Sequence, residues 1–374
     1  PKFLWSFAPE NMGFSYSGPA YVKRKNENDN WERFVVFASG PTDYEGHSEQ
    51  KLRIFTVDLE GGPDEFKETE IASSDLKNAF GGRLFTDGLD VNDDKQTDYI
   101  LLGYTDNAAA KMDLSKQNGG IIKIFTGGAD PENDWEYNKM LSSSVGNPVT
   151  AAVKTMDCFP DELDYPYVYF GTGRYFLSND VTQKNQVNHL YGVPFACNST
   201  DNNCNISDIN DSNSITCSDI EGDNLNKRSW KIPLRDSASN YLRERNYVAP
   251  SVTEHDIVFF STAMPNADKC GFGGQSRTWA VNCASGKGLG VMDCDGATVD
   301  NDNFTVMQQL STGAIKQYQG GDDGDNGDNG DNGDDFDEEN DRATSDEEGV
   351  PGSDPPEVNF GSEDNPGVIY WKEW

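Results

Sequence analysis

A loose unit recurs four times along this chain, and it constrains the fold more than any other feature. The first copy is Gly18-Pro19-Ala20-Tyr21-Val22, then Phe34-Val35-Val36-Phe37-Ala38-Ser39-Gly40, then Leu52-Arg53-Ile54-Phe55-Thr56-Val57-Asp58-Leu59. The second runs through Gly82-Arg83-Leu84-Phe85, Tyr99-Ile100-Leu101-Leu102-Gly103 and Gly120-Ile121-Ile122-Lys123-Ile124-Phe125. The third uses Asn147-Pro148-Val149-Thr150, Tyr167-Val168-Tyr169-Phe170-Gly171 and Leu190-Tyr191-Gly192-Val193. The fourth uses Ala249-Pro250-Ser251-Val252, Ile257-Val258-Phe259-Phe260-Ser261 and Thr278-Trp279-Ala280-Val281. Short β-branched and aromatic runs between Gly, Pro and Asn turns are strands. Their return every roughly 40–60 residues indicates blades or stacked hairpins. One blade cannot bury its own faces, so neighbours must cover them. An all-β propeller is the economical solution, with a two-sheet sandwich as the alternative. A closed propeller usually needs more than four units. The remaining blades are expected upstream of Pro1 or in irregular parts of the chain. Helical periodicity is weak, and its best short candidate is residues 237–245.

The 374 residues allow one large all-β domain or two ordinary ones, with ample core. A formal net charge of −34 argues against nucleic acid and against an anionic membrane surface, and it suits a protein that attracts cations. No apolar run approaches the roughly 20 residues that span a bilayer, so the chain is expected not to cross one. There is no visible signal peptide, and Pro1 is not an initiator methionine, so the sequence is expected to start inside a longer precursor.

Seven cysteines occur, at 158, 197, 204, 217, 270, 283 and 294, and none forms CxxC or CxxCH. Zinc-ribbon, thioredoxin-type and c-haem readings therefore fail. Cys197, Cys204 and Cys217 lie in an Asn/Ser/Asp-rich stretch where disulfides are plausible, which implies an oxidising compartment. The expected pairs are Cys197–Cys204 or Cys204–Cys217, and Cys270–Cys283. The odd count leaves at least one thiol free or paired outside the chain.

Composition divides the chain. Residues 1–319 form the propeller body, interrupted by the polar insertion loop 197–226. Residues 320–349 are an acidic Gly/Asp/Asn-rich low-complexity segment with a period of three. Ten Asp and four Glu against one Arg stand between Asp322 and Glu348, with little apolar surface to bury. It reads as a disordered spacer, or as a segment that condenses when cations screen it. Residues 350–374 end in Gly367-Val368-Ile369-Tyr370-Trp371-Lys372-Glu373-Trp374, a last strand returning to the body.

Function points to one oxygen-rich stretch, Gly88-Leu89-Asp90-Val91-Asn92-Asp93-Asp94-Lys95-Gln96-Thr97-Asp98-Tyr99. Asp90, Asn92, Asp94 and Asp98 recur at alternating positions, with the carbonyl of Gln96 between them. A hard cation such as Ca2+ takes six to eight oxygens, and a tight loop with every second side chain turned inward supplies most of them. The spacing matches positions 1, 3, 5, 7 and 9 of an EF-hand loop. It is not an EF-hand, because position 12 is Leu101 rather than Glu and a strand follows. Position 6 is Lys95 where glycine is usual. A solvated acidic turn is the alternative reading.

Several separated stretches resemble one family, the PilY-type proteins associated with the tips of bacterial type IV pili. Pro1-Lys2-Phe3-Leu4-Trp5-Ser6-Phe7 with Met12-Gly13-Phe14-Ser15-Tyr16-Ser17-Gly18-Pro19-Ala20 resembles the family's P-LLW-F … LG-SWS-P- passage. The acidic loop with Tyr99 and Gly103 is similar to its calcium loop. Tyr167-Val168-Tyr169-Phe170-Gly171-Thr172-Gly173-Arg174-Tyr175, followed by His189-Leu190-Tyr191-Gly192-Val193, is similar to its VYFGTGRY … FYGI. Residues 257–265 through Cys270-Gly271-Phe272-Gly273-Gly274 resemble its VIFTT passage and DPCAFGG, and Tyr370-Trp371-Lys372-Glu373 its SWRE ending. The resemblance implies a modified β-propeller, of which this chain carries a partial set of blades. It implies a role in pilus assembly, control of retraction, and adhesion. Calcium would be held by Asp90, Asn92, Asp94, Asp98 and the backbone of Gln96. Minor pilins at the pilus tip, the upstream part of the same precursor, and a host or abiotic surface are the implied partners, with an extracellular, cell-surface location.

Two other classes stand beside it. A quinone-dependent dehydrogenase is also a calcium-using propeller. However, His47, His189 and His255 are the only histidines and form no recognisable catalytic pattern, and there are no adjacent cysteines to cover a quinone. Gly171-Thr172-Gly173 and Gly271-Phe272-Gly273-Gly274 lack the Lys/Ser partner and helix of a phosphate loop. The chain is therefore expected not to be an enzyme. A free secreted calcium-dependent adhesin is the other alternative, with Trp31, Trp135 and Trp230 as surface aromatics if they do not pack between blades.

Overall fold

The computed structural model describes residues 5–71, 76–84, 88–107, 117–141, 144–158, 166–175, 187–197, 204–236, 241–253, 256–266 and 274–288, together with the strand backbones at 304–309, 315–320, 342–343, 358–359 and 368–373. Four sheets, antiparallel except for one short parallel pair in the third, follow one another along the chain. The first is a plain meander of β1 (Ala20–Lys25), β2 (Trp31–Ala38), β3 (Arg53–Asp58) and β4 (Phe66–Glu70). The second repeats it with β5 (Ala79–Gly81), β6 (Tyr99–Asp106), β7 (Asn118–Thr126) and β8 (Trp135–Lys139). The third comprises β9 (Lys154–Met156), β10 (Tyr167–Gly171), β11 (His189–Pro194), β12 (Asn210–Asp211) and β13 (Trp230–Pro233), in the order β12-β13-β11-β10-β9. The fourth begins with β14 (Ser251–Val252), β15 (Ile257–Pro265) and β16 (Gly274–Asn282). A hairpin of β17 (Phe304–Gln309) and β18 (Ile315–Gly320), then a short pair of β19 (Arg342–Ala343) and β20 (Val358–Asn359), precede its last strand, β21 (Val368–Glu373), which pairs with β16.

The sheets are blades because the strand period of two feeds a different neighbour from each face. In β6, Ile100, Leu102 and Tyr104 enter a core shared with Val22, Val36 and Ile54 of the first sheet. Leu101 points the other way, into a core with Val168 and Phe170 of the third. In β10, Tyr167 and Tyr169 leave that core for the next, where Trp230, Phe260 and Trp279 join the third sheet to the fourth. Buried on both faces, such strands read as continuous apolar runs. At about 1.5–3 kcal/mol per large apolar side chain, these three cores are the main source of cohesion between blades. The fold is an all-β, modified propeller with a partial set of blades.

Beyond the strands the sequence suggested, the sheets hold β4, β8, β12 and β13, while β21, the expected last strand, closes the fourth sheet. Two of the expected first strands also move. Residues 82–84 are not a strand, because their N–H groups donate to three separate places: Gly82 to Gly103, Arg83 to Thr150 and Leu84 to Ser17. Val149 makes only an isolated bridge to Gly173 and donates to Tyr104, so the third sheet starts later, at Lys154. The helix expected at 237–245 is also corrected. Tyr241 bridges to Asn266 and Arg245 to Ala263, so this stretch runs as backbone along β15, while 237–240 lie outside the described residues. Pairing with a neighbouring strand overrides a weak local preference.

The cysteine pairing is corrected in part. Cys197–Cys204 forms, over seven residues. Cys283 pairs not with Cys270 but with Cys158, 125 residues away. Cys158 follows β9 and Cys283 follows β16, and both sit in the core between third and fourth sheets. The bond therefore ties two blades. Cys217 is disulfide-bonded too. Between Cys204 and β13 the polar insertion is anchored by buried Ile209, Ile215 and Ile220. It carries two single-turn helices, α1 (Cys217–Ile220), with a Thr216/Asp219 capping box, and α2 (Leu225–Arg228), capped by Asn224. Of the acidic stretch 320–349, only the backbones of Gly320 and of the short strand β19 are described.

Candidate metal centre

The acidic loop lies between β5 and β6 and is closed like a hairpin. Leu89 and Tyr99 exchange backbone hydrogen bonds of 2.8 and 3.1 Å, and the Asp98 N–H donates to the Leu89 carbonyl. Inside, the Asp90, Asn92 and Asp94 side chains each accept from the N–H of a later residue. Asp90 Oδ1 accepts from Asp94 at 3.2 Å, and Asp90 Oδ2 from Lys95 at 2.6 Å. Asn92 Oδ1 accepts from Asp94 at 3.0 Å. Asp94 accepts from the Gln96 N–H at 2.8 Å and from its side-chain amide at 2.7 Å. The Gln96 backbone N–H, seconded by the Gln96 and Asn92 side chains, holds the Asp94 carboxyl below its ordinary range, so it is an anion at neutral pH.

Backbone strain gathers at the same place. Among the described residues four non-glycine positions have left-handed φ, and two of them are Asp93 (58°) and Lys95 (68°). Lys95 thus occupies the conformation for which an EF-hand loop keeps glycine. The reason is visible: only that turn lets the Lys95 N–H reach back to Asp90.

The exit side of the loop is fixed to the first blade. Thr97 exchanges hydrogen bonds with Lys23 through N–H and Oγ1, and its carbonyl accepts from Arg24 and from the Thr126 hydroxyl. Gln96 Oε1 accepts from the Lys25 N–H at 2.8 Å. Asp98 is the most buried of the five. Its Oδ1 accepts from Arg24 at 2.9 Å and its Oδ2 from the Val91 N–H at 3.0 Å. Arg24 also donates to the Gly127 carbonyl. Arg24, on β1, gave no signal in the sequence, since nothing near the loop points to it.

The donor set fits a hard cation. All the candidate atoms are oxygens, and each bound N–H leaves a carboxylate or amide oxygen a further lone pair. Asp90, Asn92, Asp94 and Gln96 are linked by one run of hydrogen bonds, while Asp98 is paired with Arg24. Among the described residues the carboxylates of Asp90, Asp94 and Asp98 are not gathered within 4.8 Å of one another. An ion there must draw them together. The group that does meet that distance is Cys158, Asp256 and Cys283, and its two sulfurs are bonded to each other, so it offers no thiolate.

The loop is linked to the next blade. Tyr99, one residue past Asp98, packs edge-on against Phe195 with centroids 4.9 Å apart. Lys123 lies 3.9 Å over the Phe195 ring and donates to the carbonyls of Phe195 and Cys197. Burial pulls the Lys123 ammonium down to about 8. The other residues singled out by sequence settle elsewhere. Trp230 and Trp135 are buried between blades, and Trp31 lies under the ammonium groups of Lys23 and Lys25. His47 is buried on Asp43, His189 is half-buried, and His255 lies outside the described residues.

No family model and no curated protein matches the sequence. The structure is similar to the crystal structure of the Pseudomonas aeruginosa PilY1 C-terminal domain, with a TM-score of 0.51 and 13% identity over 83% of this chain and 71% of that one. The chain has the PilY1 C-terminal fold. A Bacteroides thetaiotaomicron endo-arabinase aligns at a TM-score of 0.31 and 9% identity, over 84% of this chain and 92% of that one. At 13% identity the superposition shows a shared fold alone, and that fold agrees with the family that the separated motifs resemble.

Proposed function

We propose that this chain is a calcium-binding, non-enzymatic protein of the type IV pilus tip, acting in pilus assembly and retraction control and in surface adhesion. The observation that carries the reading is the Asp90–Asp98 loop, whose candidate donor atoms are all oxygens, at the entry of a blade strand on a PilY1-like fold. Asp90, Asn92, Asp94 and the Gln96 carbonyl hold Ca2+, with Asp98 as the fifth donor when Arg24 shares it. An ion that binds only the folded loop stabilises it by about 2.7 kcal/mol at one hundred times its dissociation constant. Through Tyr99, Phe195 and Lys123 that order extends to the surface around Cys197–Cys204. Minor pilins are the partners at the tip, and the disulfides suit a location outside the cell.

Two measurements test it. Gold-labelled antibody to this chain on intact cells and sheared filaments is expected at filament ends. Label spread over the cell with none on filaments would favour a free adhesin, and label confined to the periplasm would defeat both readings. Calorimetric titration with Ca2+ is expected to show one site that Asp94→Ala abolishes. Unchanged binding and unchanged calcium-dependent melting in that variant would remove the metal from the proposal.

A further inference from the structure

The loop between β2 and β3 supports a second site, at the end of β2 remote from the acidic loop. The eight residues of β2 put about 27 Å between the two ends, at about 3.4 Å per residue. This loop is braced from inside. The Asp43 carboxylate accepts from the N–H groups of Glu45 and His47, both at 2.9 Å, and from His47 Nδ1 at 3.0 Å. His47 is 2% exposed. The carbonyls of Glu45 and Gly46 face inward, where the fully buried Arg174, just past β10, donates to both at 2.6 and 2.7 Å. Gln117, from the start of β7, adds a longer hydrogen bond to Gly46. Three blades therefore hold one short loop.

On the outer side of this braced loop Tyr44 stands 82% exposed. Its ring packs on Phe14 at 4.6 Å, and Phe14 is 39% exposed. That contact needs Gly40, where any Cβ would lie 1.7 Å from the Phe14 carbonyl oxygen. Beyond Arg174 comes Tyr175, 46% exposed and stacked on Tyr247. So three of the five exposed large apolar side chains among the described residues gather around one loop. Rigid loops that hold aromatic rings in water are typical of binding surfaces. The loop itself carries charge of one sign: residues 39–50 hold Asp43, Glu45 and Glu49 and no Lys or Arg, and the Arg174 guanidinium beneath it is buried on the Glu45 and Gly46 carbonyls.

We infer that this surface docks an arginine-bearing segment of a partner protein. A guanidinium stacks flat on a Tyr ring and forks to a carboxylate, which an ammonium does not do as well. The molecule already shows the contact next door, where the Arg245 guanidinium lies 6.0 Å from the Tyr175 ring centroid. Tyr44 and Phe14 are the platform, and the exposed carboxylate of Glu45, one oxygen of which lies 3.9 Å from His47 Nδ1, is the anion. The site goes beyond the pilus reading and does not depend on calcium.

The test uses the whole chain, with acetyl-triarginine amide as probe and the trilysine peptide for comparison, both at physiological ionic strength. Triarginine is expected to bind more tightly than trilysine. Tyr44→Ala and Glu45→Gln are each expected to weaken it at least fivefold. Glu27→Gln, an exposed carboxylate at the opposite end of β2, is expected to change it less than twofold. Thermal melting of each variant confirms that it is folded. Equal losses from Glu27→Gln and Glu45→Gln, no loss from Tyr44→Ala, or no measurable triarginine binding would each overturn the inference, leaving only attraction to a polyanion.

Discussion

Arg24→Met tests both the packing of the acidic loop and its use of Asp98. The methionine keeps much of the stem and deletes a guanidinium that donates to Asp98 Oδ1, the Thr97 carbonyl and the Gly127 carbonyl. Asp98 is left with the Val91 N–H as its remaining side-chain hydrogen bond, on a side chain 8% exposed. Removing one partner of a buried ion pair costs about 3–5 kcal/mol. Because both side chains keep slight contact with water, the low end applies, about 3 kcal/mol. With an unfolding entropy of about 2.1 cal/mol/K per residue over 374 residues, the melting temperature falls by about 4 °C. The second effect has the opposite sign. If Asp98 is a ligand, guanidinium and Ca2+ compete for it, and couplings of this kind are about 1–3 kcal/mol. The variant then binds calcium about tenfold more tightly, and saturating calcium returns most of the lost stability. Scanning calorimetry with and without Ca2+, beside calorimetric titration, reads both effects. A variant that loses stability but binds calcium no more tightly than the native chain would show that Asp98 serves the inter-blade pair alone.

Three further outcomes follow from the same geometry. Replacing both Cys158 and Cys283 by serine releases a closed loop of 125-residue separation, worth about 5 kcal/mol in the chain-entropy model, whereas losing Cys197–Cys204, over seven, costs about half as much; denaturant unfolding should rank them in that order. Lys123, drawn down to about 8 by burial, binds fewer protons folded than unfolded between about pH 8 and 10.5, so stability should rise by about 1.5 kcal/mol from pH 8 to 9.5 and flatten in Lys123→Met. Above about pH 10 the sign reverses, because burial raises Tyr16, Tyr137, Tyr167, Tyr169 and Tyr191 and the unfolded chain ionises first. Lys95→Gly relieves a left-handed residue, offset in part by the freer unfolded chain, and removes a cation beside the loop; calcium should bind severalfold more tightly, and weaker binding in titration would contradict the strain argument.

What the sequence disclosed and what it hid divide along one physical line. The strands β6, β10 and β15 could be read because burial on both faces leaves uninterrupted apolar runs, Ile100–Leu102, Tyr167–Phe170 and Ile257–Phe260. The outer strands β4, Phe66–Glu70, and β8, Trp135–Lys139, could not, because an edge facing water selects charge and leaves no alternation to detect. The Cys197–Cys204 pair is a matter of local reach, while Cys158–Cys283 exists only once two blades meet. The acidic loop obeys the same rule. Its oxygens are spaced by local turn geometry, so Asp90, Asn92, Asp94 and Gln96 declare themselves in sequence. The cation that already holds Asp98 comes from 74 residues away. Local chemistry therefore writes the proposed donor set, and the packing of two blades decides how freely Asp98 would join it. Calcium affinity in this chain should accordingly respond to changes on β1 that touch no proposed ligand, and Arg24 is the first place to look.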